Sequence, residues 1–205
     1  MKNVVAIISF ISFAIFAMAQ TPQQIVSQMD AELQKHTNEG VVMNVDTKIP
    51  IVGTMTTKTY TLGDNSRMEM EVMGEKVITW TDKKYTWIYT PSSNSVRIDN
   101  LSKKSSSEGN IKLFSGITEG YEVTISKETN TEWHIACKKL KSNPDKSASK
   151  TMDLVVAKGT YWPVSLTTSV KGVTVTMRDI AFGVTEDQVT FNQKDYPNIS
   201  VVDKR

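Results

Sequence analysis

The sequence predicts a mainly β protein of about ten strands in meander order, forming one antiparallel sheet that curls strongly or closes, with two short helical segments. Apolar and polar residues alternate with a period of two through most of the chain after Gly40. Turn residues such as Asn130 and Lys171-Gly172 separate these runs. Only the segment before Gly40 shows strong helical spacing, so helices are expected to be a minor part of the fold.

Residues 1–19 have the features of a secretory signal peptide. Lys2 precedes an apolar run from Val4 to Phe16, and Ala17-Met18-Ala19 follows as a small-residue cleavage pattern. The run is short for a bilayer crossing, which needs about 20 residues. We therefore expect cleavage after Ala19 and a single exported domain at residues 20–205 that is free of the membrane.

Charge and cysteine content argue against a nucleic-acid-binding protein and against a fold stabilised by disulfides. The formal net charge is only +2, which provides no long-range field to attract nucleic acid. Cys137 is the single cysteine, so no intramolecular disulfide can form and stability must come from packing.

The first structural element after the predicted signal peptide is an amphipathic helix from Pro22 to about Lys35. Thr21 is a suitable N-cap and proline is favoured at the first helical position. Its apolar residues at helical spacing are Ile25, Val26, Met29 and Leu33. The following strand places Val41, Met43, Val45 and Thr47 on one side, and a second strand is expected from about Ile51 to Tyr60.

The stretch from Arg67 to Ile98 predicts three hairpins. An odd-length loop at Met73-Gly74-Glu75 brings the apolar residues of the first two strands together, whereas a two-residue Gly-Glu loop would place Met70 opposite Thr79. The predicted pairs are Val72 with Lys76, Met70 with Ile78, Met68 with Trp80, Trp80 with Tyr85, Ile78 with Trp87, Tyr89 with Val96 and Trp87 with Ile98.

This register gives one continuous apolar face. Its predicted members are Met68, Met70, Val72, Ile78, Trp80, Tyr85, Trp87, Tyr89, Val96 and Ile98, and the opposite, wetter face carries Arg67, Glu69, Glu71, Thr79, Thr86 and Arg97. Such a face is more often plain core than a ligand wall. However, Met43, Met55, Met68, Met70 and Met73 cluster in a short part of the chain, and flexible thioethers suit a surface that adapts to variable apolar ligands.

The rest of the chain predicts a second short helix around Ile111 to Ile117, ending at Gly120, and then five more strands. In the last strand, Val173, Val175 and Met177 share one parity, whereas Ile180 and Phe182 have the other. This change of parity predicts a β-bulge near Asp179.

Catalytic and metal-binding groups are sparse. His36 and His134 are the only histidines, and His134 and Cys137 differ in strand parity, so they cannot form a local nucleophile and base pair. Glu69 and Glu71 share a strand face but have no companion histidine or metal-ligand cluster. We expect neither an enzyme nor a protein that needs a metal or cofactor.

Several motifs of the chain resemble those of a known family. The segment from Asp82 to Pro91, "DKKYTWIYTP", is similar to the "DGK-x-x-W-x-Y-x-P" hairpin of the LolA-like periplasmic lipoprotein carriers. Arg67-Met68-Glu69 resembles the family's "R-x-E" strand start, and Trp162-Pro163 its aromatic-proline strand opening. The segment from Phe191 through Tyr196-Pro197 to Val202-Asp203 resembles its closing motif.

The resemblance implies an incomplete, strongly curved antiparallel β-barrel of about ten or eleven strands, with the two helices covering its concave face. It also implies a periplasmic carrier that takes lipoprotein acyl chains from an inner-membrane exporter to an outer-membrane acceptor. The implied cavity residues are Met43, Met55, Met68, Met70, Val72, Ile78, Trp80, Trp87 and Tyr89, under a lid helix bearing Ile25, Val26, Met29 and Leu33. Where carriers have an Arg-Pro that tethers the lid, this chain reads Thr57-Lys58-Thr59-Tyr60.

Two other readings stay open. The same fold serves in regulatory modules that sense lipids or lipoproteins, although those usually carry an additional domain. A carrier of another hydrophobic ligand is equally compatible with the apolar face. A hydrolase would need a catalytic group that the sequence does not provide.

Overall fold

A computed structural model describes residues 20–36, 38–101, 118–146 and 148–205. The predicted signal peptide and the predicted helix around Ile111 to Ile117 lie outside the described residues.

Helix α1 spans Pro22–Gln34, close to its predicted limits. Its N-terminus is closed by a capping box, in which the Gln24 amide N–H donates to Thr21 Oγ1 at 3.2 Å and the Thr21 amide N–H donates to Gln24 Oε1 at 2.9 Å. These bonds satisfy two amides that a helix start would otherwise leave unpaired. The four apolar residues predicted from spacing are the four buried residues of α1.

The strands form a single twelve-stranded sheet in the order β12-β6-β5-β4-β3-β2-β1-β11-β10-β9-β8-β7. Their bounds are Val41–Ile49 (β1), Gly53–Leu62 (β2), Asn65–Val72 (β3), Glu75–Thr81 (β4), Tyr85–Thr90 (β5), Ser95–Asn100 (β6), Tyr121–Glu128 (β7), Glu132–Lys139 (β8), Thr151–Ala157 (β9), Pro163–Val170 (β10), Val173–Phe182 (β11) and Ser200–Asp203 (β12). Within the described chain, the end strands β7 and β12 do not pair with each other. The sheet is therefore open, which confirms the incomplete barrel.

The sheet differs from the expected meander in two ways. β6 and β7 follow each other in the chain but lie near opposite edges of the sheet, because β1 pairs with β11, and a C-terminal strand is added next to β6. After β11 the chain forms a single-turn helix α2 at Glu186–Val189 and a 3-10 turn at Gln193–Asp195. It then returns as β12, which pairs with β6 in parallel. This short added strand accounts for the count of twelve and is the one parallel neighbour among the described strands.

Residues paired across neighbouring strands point to the same face, so the registers divide the sheet into two faces. We call the face that carries α1 the helix face. One row on it runs across nine strands, from β7 to β4, through Ile125, Ile135, Leu154, Leu166, Met177, Val45, Thr57, Met70 and Val77. The first half of this row joins the buried core beneath α1.

The bulge predicted near Asp179 is confirmed. The β1–β11 register shifts between the pair Val42 and Ala181 and the pair Asn44 and Arg178. Asp179 has a left-handed φ of +55°, and its carboxylate accepts a 2.8 Å hydrogen bond from Asn44 Nδ2. The bulge lets Ile180 join the same core as Met177 despite their different parity.

Truncation of the α1 core tests how strongly the helix is held. Met29 is fully buried, and Met29→Ala is expected to lower the free energy of unfolding by about 2–5 kcal/mol because it leaves a cavity. The matched control is Met73→Ala, since Met73 is fully exposed and should change stability by less than about 0.5 kcal/mol. Urea unfolding followed by tryptophan fluorescence measures both; equal losses would contradict the packing described for α1.

Candidate ligand-binding site

The β3–β4 turn sets the composition of both faces. It is a two-residue turn in which Met73 and Gly74 both have positive φ, +52° and +82°, the signature of the type I′ hairpin turn. The observed pairs are Val72 with Glu75, Met70 with Val77, Met68 with Thr79, Glu69 with Ile78 and Arg67 with Trp80. The predicted odd-length loop is therefore wrong by one residue. The error arose because methionine is an unusual residue for a left-handed turn position.

A shift of one residue exchanges faces, so the predicted cavity residues do not form one wall. Met43, Met68 and Met70 lie on the helix face, and the strand parity places Met55 and Val72 there too. Ile78, Trp80, Trp87 and Tyr89 lie on the opposite face. Arg67, Glu69 and Glu71 share that opposite face, which corrects their expected separation from the aromatic residues.

The later hairpins keep the predicted parity. Tyr89 pairs with Val96 and Trp87 with Ile98, as expected. Trp80 pairs with Trp87, and Ile78 with Tyr89, rather than with Tyr85 and Trp87. This difference of two residues leaves the same side chains on the same face. We call this the aromatic face.

The aromatic face is covered by the chain itself. Phe191 lies with its ring centroid 5.3 Å from that of Trp80 and 6.2 Å from that of Trp87. Tyr196 contacts Tyr89 at 4.7 Å and Trp80 at 5.7 Å. Burial raises the pKa of the Tyr196 hydroxyl. These contacts make the aromatic face a second core. The sequence marks Phe191 and Tyr196 only as members of the family's closing motif and does not indicate that they cover aromatic residues.

A charged group borders this second core. The Arg67 guanidinium pairs with Glu69 and lies over the Tyr60 and Trp80 rings, with its Cζ atom 5.5 and 5.6 Å from their centroids. Lys76 Nζ lies 2.6 Å from Glu69 Oε2. Only 9% of Glu69 is exposed. The carboxylate is thus held between two cations, and its companion Glu71 remains exposed.

The helix face differs from the aromatic face because α1 covers only part of it. Val45 and Met177 pack at the border of the core. Beyond them, towards β4 and β5, the residues are half-buried, and we call this area the groove. Its members are Thr57, Thr59, Met68, Met70, Val77, Thr79 and Ile88, with Met55 and Val72 more exposed at its end.

Two contacts tether α1 to the β9–β10 turn and to the end of β11. Ahead of its first turn, Gln20 Nε2 donates a 2.6 Å hydrogen bond to the Tyr161 hydroxyl. Just past its C-terminus, the His36 ring stacks on Phe182 at 4.9 Å and meets Trp162 edge-on at 5.3 Å. His36 Nδ1 also lies 3.0 Å from Glu39 Oε2. An open pocket of about 220 Å³ lies between α1 and β7, lined in part by Val26 and Val123.

The described residues contain no group of His, Cys, Asp and Glu side chains suited to hold a metal ion. Cys137 is buried in the core beneath α1, and burial raises the pKa of its thiol to about 11. A thiol of this kind stays protonated at neutral pH and is a poor nucleophile. In the same described part of the chain, no helix has the length and apolar character to cross a membrane.

An open sheet with an aromatic face partly covered by its own C-terminal segment and the other face partly covered by an amphipathic helix defines a half-barrel class of protein. No family model and no curated protein matches the sequence. Solved structures do match its fold over most of the chain, and the observed sheet is the incomplete, open antiparallel barrel expected from the motifs.

Three of these structures illustrate the likeness. LprF from Mycobacterium bovis has a TM-score of 0.50 at 7% identity, covering 81% of this chain and 96% of that one. Lipoprotein LppX from Mycobacterium tuberculosis has a TM-score of 0.46 at 13% identity, covering 78% and 96%. A LolA superfamily protein from Nitrosomonas europaea has a TM-score of 0.36 at 14% identity, covering 86% and 100%. At such identities the likeness concerns the fold alone.

Removal of one charge tests the observed β3–β4 register. Glu69→Ala should lower the free energy of unfolding by about 1–3 kcal/mol, because it leaves Arg67 beside Trp80 without its carboxylate partner. Glu71→Ala, two residues along the same strand face, should change it by less than about 0.5 kcal/mol. Chemical denaturation distinguishes the two, and similar small losses in both variants would favour the rejected register.

Proposed function

We propose that the protein is a soluble periplasmic carrier that binds the acyl chains of lipoproteins in the groove and delivers them to the outer membrane. The observation that carries the proposal is the change in side-chain burial along one row of paired residues on the helix face. The row is buried under α1 at Ile135 and Leu154 and becomes half-buried at Thr57, Met70 and Val77 without leaving the sheet. An acyl chain laid on the groove would extend the core.

The chemistry of the groove suits a ligand that must be released. Each methylene group removed from water contributes about 0.8 kcal/mol, so complete enclosure of a long acyl chain would make release slow. The threonines at positions 57, 59 and 79 interrupt the apolar surface, and the flexible side chains of Met68 and Met70 adapt to different chains. A half-open site of this kind supports binding and handover.

A charge in the groove should prevent binding. Met70→Glu is expected to weaken uptake of an apolar fluorophore by at least about tenfold, because the carboxylate would lose water when the ligand binds. Met70 is half-buried, so the new carboxylate can stay hydrated in the free protein. The matched control is Glu71→Gln, because the Glu71 side chain lies on the face of β3 opposite to Met70 and outside the groove. Unchanged uptake by a folded Met70→Glu variant, checked by circular dichroism, would rule out the groove.

In this proposal α1 is a gate that extends the binding surface, because it covers the apolar core that adjoins the groove at Val45 and Met177. Its outward movement would join the pocket of about 220 Å³ at β7 to the space above the core. The His36 contacts with Phe182 and Trp162 oppose that movement. Aromatic contacts of this type contribute about 0.5–1.5 kcal/mol each.

Loss of the His36 contacts should therefore speed uptake. His36→Ala is expected to raise the rate of fluorophore uptake by about threefold to tenfold, since the gate opens at a lower free-energy cost. Lys35→Ala is the control, because the Lys35 side chain is 66% exposed beside the same helix end. Stopped-flow fluorescence measures both rates, and an equal or slower rate in His36→Ala would contradict the role of α1 as the gate.

The cargo can be identified directly. Protein recovered from its native compartment should carry triacylated proteins when examined by native mass spectrometry. Free lipids in their place would assign the groove to another transport role. Recovery of an empty protein that also takes up no apolar fluorophore would refute lipid binding altogether. Interaction with an inner-membrane exporter and an outer-membrane acceptor forms part of the proposal and is tested by in vitro transfer between such partners.

A further inference from the structure

Three hairpin turns lie side by side at one end of the sheet. The β1–β2 and β10–β11 turns are adjacent because β1 pairs with β11, and a Cβ built on Gly172 would lie 3.8 Å from Pro50 Cγ. The β3–β4 turn projects from the same end, since β3 runs antiparallel to β2. The groove ends here at Met55 and Val72.

The turns carry apolar side chains that point into solvent. Ile51 and Met73 are fully exposed, at 108% and 102% of their reference areas, and Val52 is 71% exposed. Val170 is 46% exposed at the third turn. Together with Met55 and Val72, they form what we call the tip surface. A contiguous exposed apolar surface is a mark of an interaction site.

Two of these residues occupy backbone conformations that apolar side chains rarely adopt. Ile51 has a φ of +70° and Met73 a φ of +52°. A β-branched residue at positive φ is a conformational outlier, whereas asparagine or glycine is favoured there. Neither side chain gains burial within the protein in return. The chain therefore presents apolar groups at a cost to its own folding.

The composition of the tip surface favours a bilayer over a protein partner. Protein interfaces are enriched in aromatic residues, arginine and methionine. The residues from Ile49 to Thr54, from Val72 to Glu75 and from Val170 to Val173 include no aromatic residue and no arginine, and Met73 is their one methionine. Aliphatic and thioether side chains on protruding turns suit shallow insertion among acyl chains. Nearby charges have both signs, with exposed Lys48, Lys76 and Lys171 against Glu71 and Glu75, so insertion does not require an anionic bilayer.

We propose that the tip surface is a reversible membrane-docking surface that inserts its aliphatic side chains into a lipid bilayer. Docking places the open end of the groove, at Met55 and Val72, against the membrane. An acyl chain could then pass between bilayer and groove with little exposure to water. Membrane docking is a property of the free protein, so it can be tested whether or not the groove binds lipoproteins.

The test uses asparagine, which removes the apolar group and fits the local backbone. Ile51→Asn and Met73→Asn should each keep or raise thermal stability. Each should weaken partition of the protein into phosphatidylcholine vesicles by about tenfold, because one inserted apolar side chain is lost. Val202→Asn is the control, since Val202 is 40% exposed on β12 and lies outside the tip surface. Vesicle co-flotation measures partition, and fluorophore uptake without vesicles reports on the groove.

The outcomes separate the two proposals. Tip variants that lose vesicle binding but retain fluorophore uptake support docking independently of the groove. Absence of vesicle binding by the unmodified protein would overturn docking even if uptake is normal. Binding only to vesicles that contain phosphatidylglycerol, abolished by salt and unchanged in the tip variants, would also overturn it. Concentration-dependent self-association that the tip variants remove would assign the surface to a second copy of the chain instead.

Discussion

The two-residue turn at Met73-Gly74 is the constraint on which the two faces of this sheet depend. Side chains alternate strictly along a strand, so the length of a turn determines which residues of the next strand share a face. With both turn residues left-handed, Met68 and Met70 face α1, while Trp80 joins the aromatic residues on the other side. One added residue would mix the methionines with the aromatics and leave neither face uniform.

The separation gives each face a different physical task. The aromatic face is closed by Phe191 and Tyr196 from the C-terminal segment, which also supplies the parallel strand β12. Large aromatic side chains contribute much of the energy of a core through area and ring contacts. On the helix face, the residues under α1 from Ile135 to Leu166 are already buried and stabilise the sheet. The groove residues therefore need to contribute less packing energy to folding. Threonines and half-exposed methionines can therefore be tolerated between β2 and β4.

Much of this arrangement could be predicted from the sequence. The limits and buried residues of α1 follow from Thr21, Pro22 and helical spacing, and the bulge near Asp179 follows from the change of parity between Met177 and Ile180. These features are local, so short-range patterns are sufficient. The β3–β4 register was mispredicted because the apolar pattern on both sides of the turn fits either length, and Met73 gives no glycine or asparagine signal at the first turn position.

The predicted cavity was wrong for two reasons. The register error placed methionines and aromatic residues on one face, and a cavity also depends on contacts between distant segments that local patterns do not show. Periodicity cannot show that Phe191, more than ninety residues beyond Trp87, covers the aromatic residues. Nor can it show that the alternating apolar residues of β3 to β5 are divided between two faces, one covered by the C-terminal segment and the other left open as the groove. Burial beneath the C-terminal segment removes Trp80 as a candidate ligand contact, whereas Trp87 remains half-buried beside Phe191. Met68 and Met70 become better candidates for ligand contact. The core on the opposite face already stabilises the sheet, so leaving these flexible apolar side chains half-exposed costs less stability.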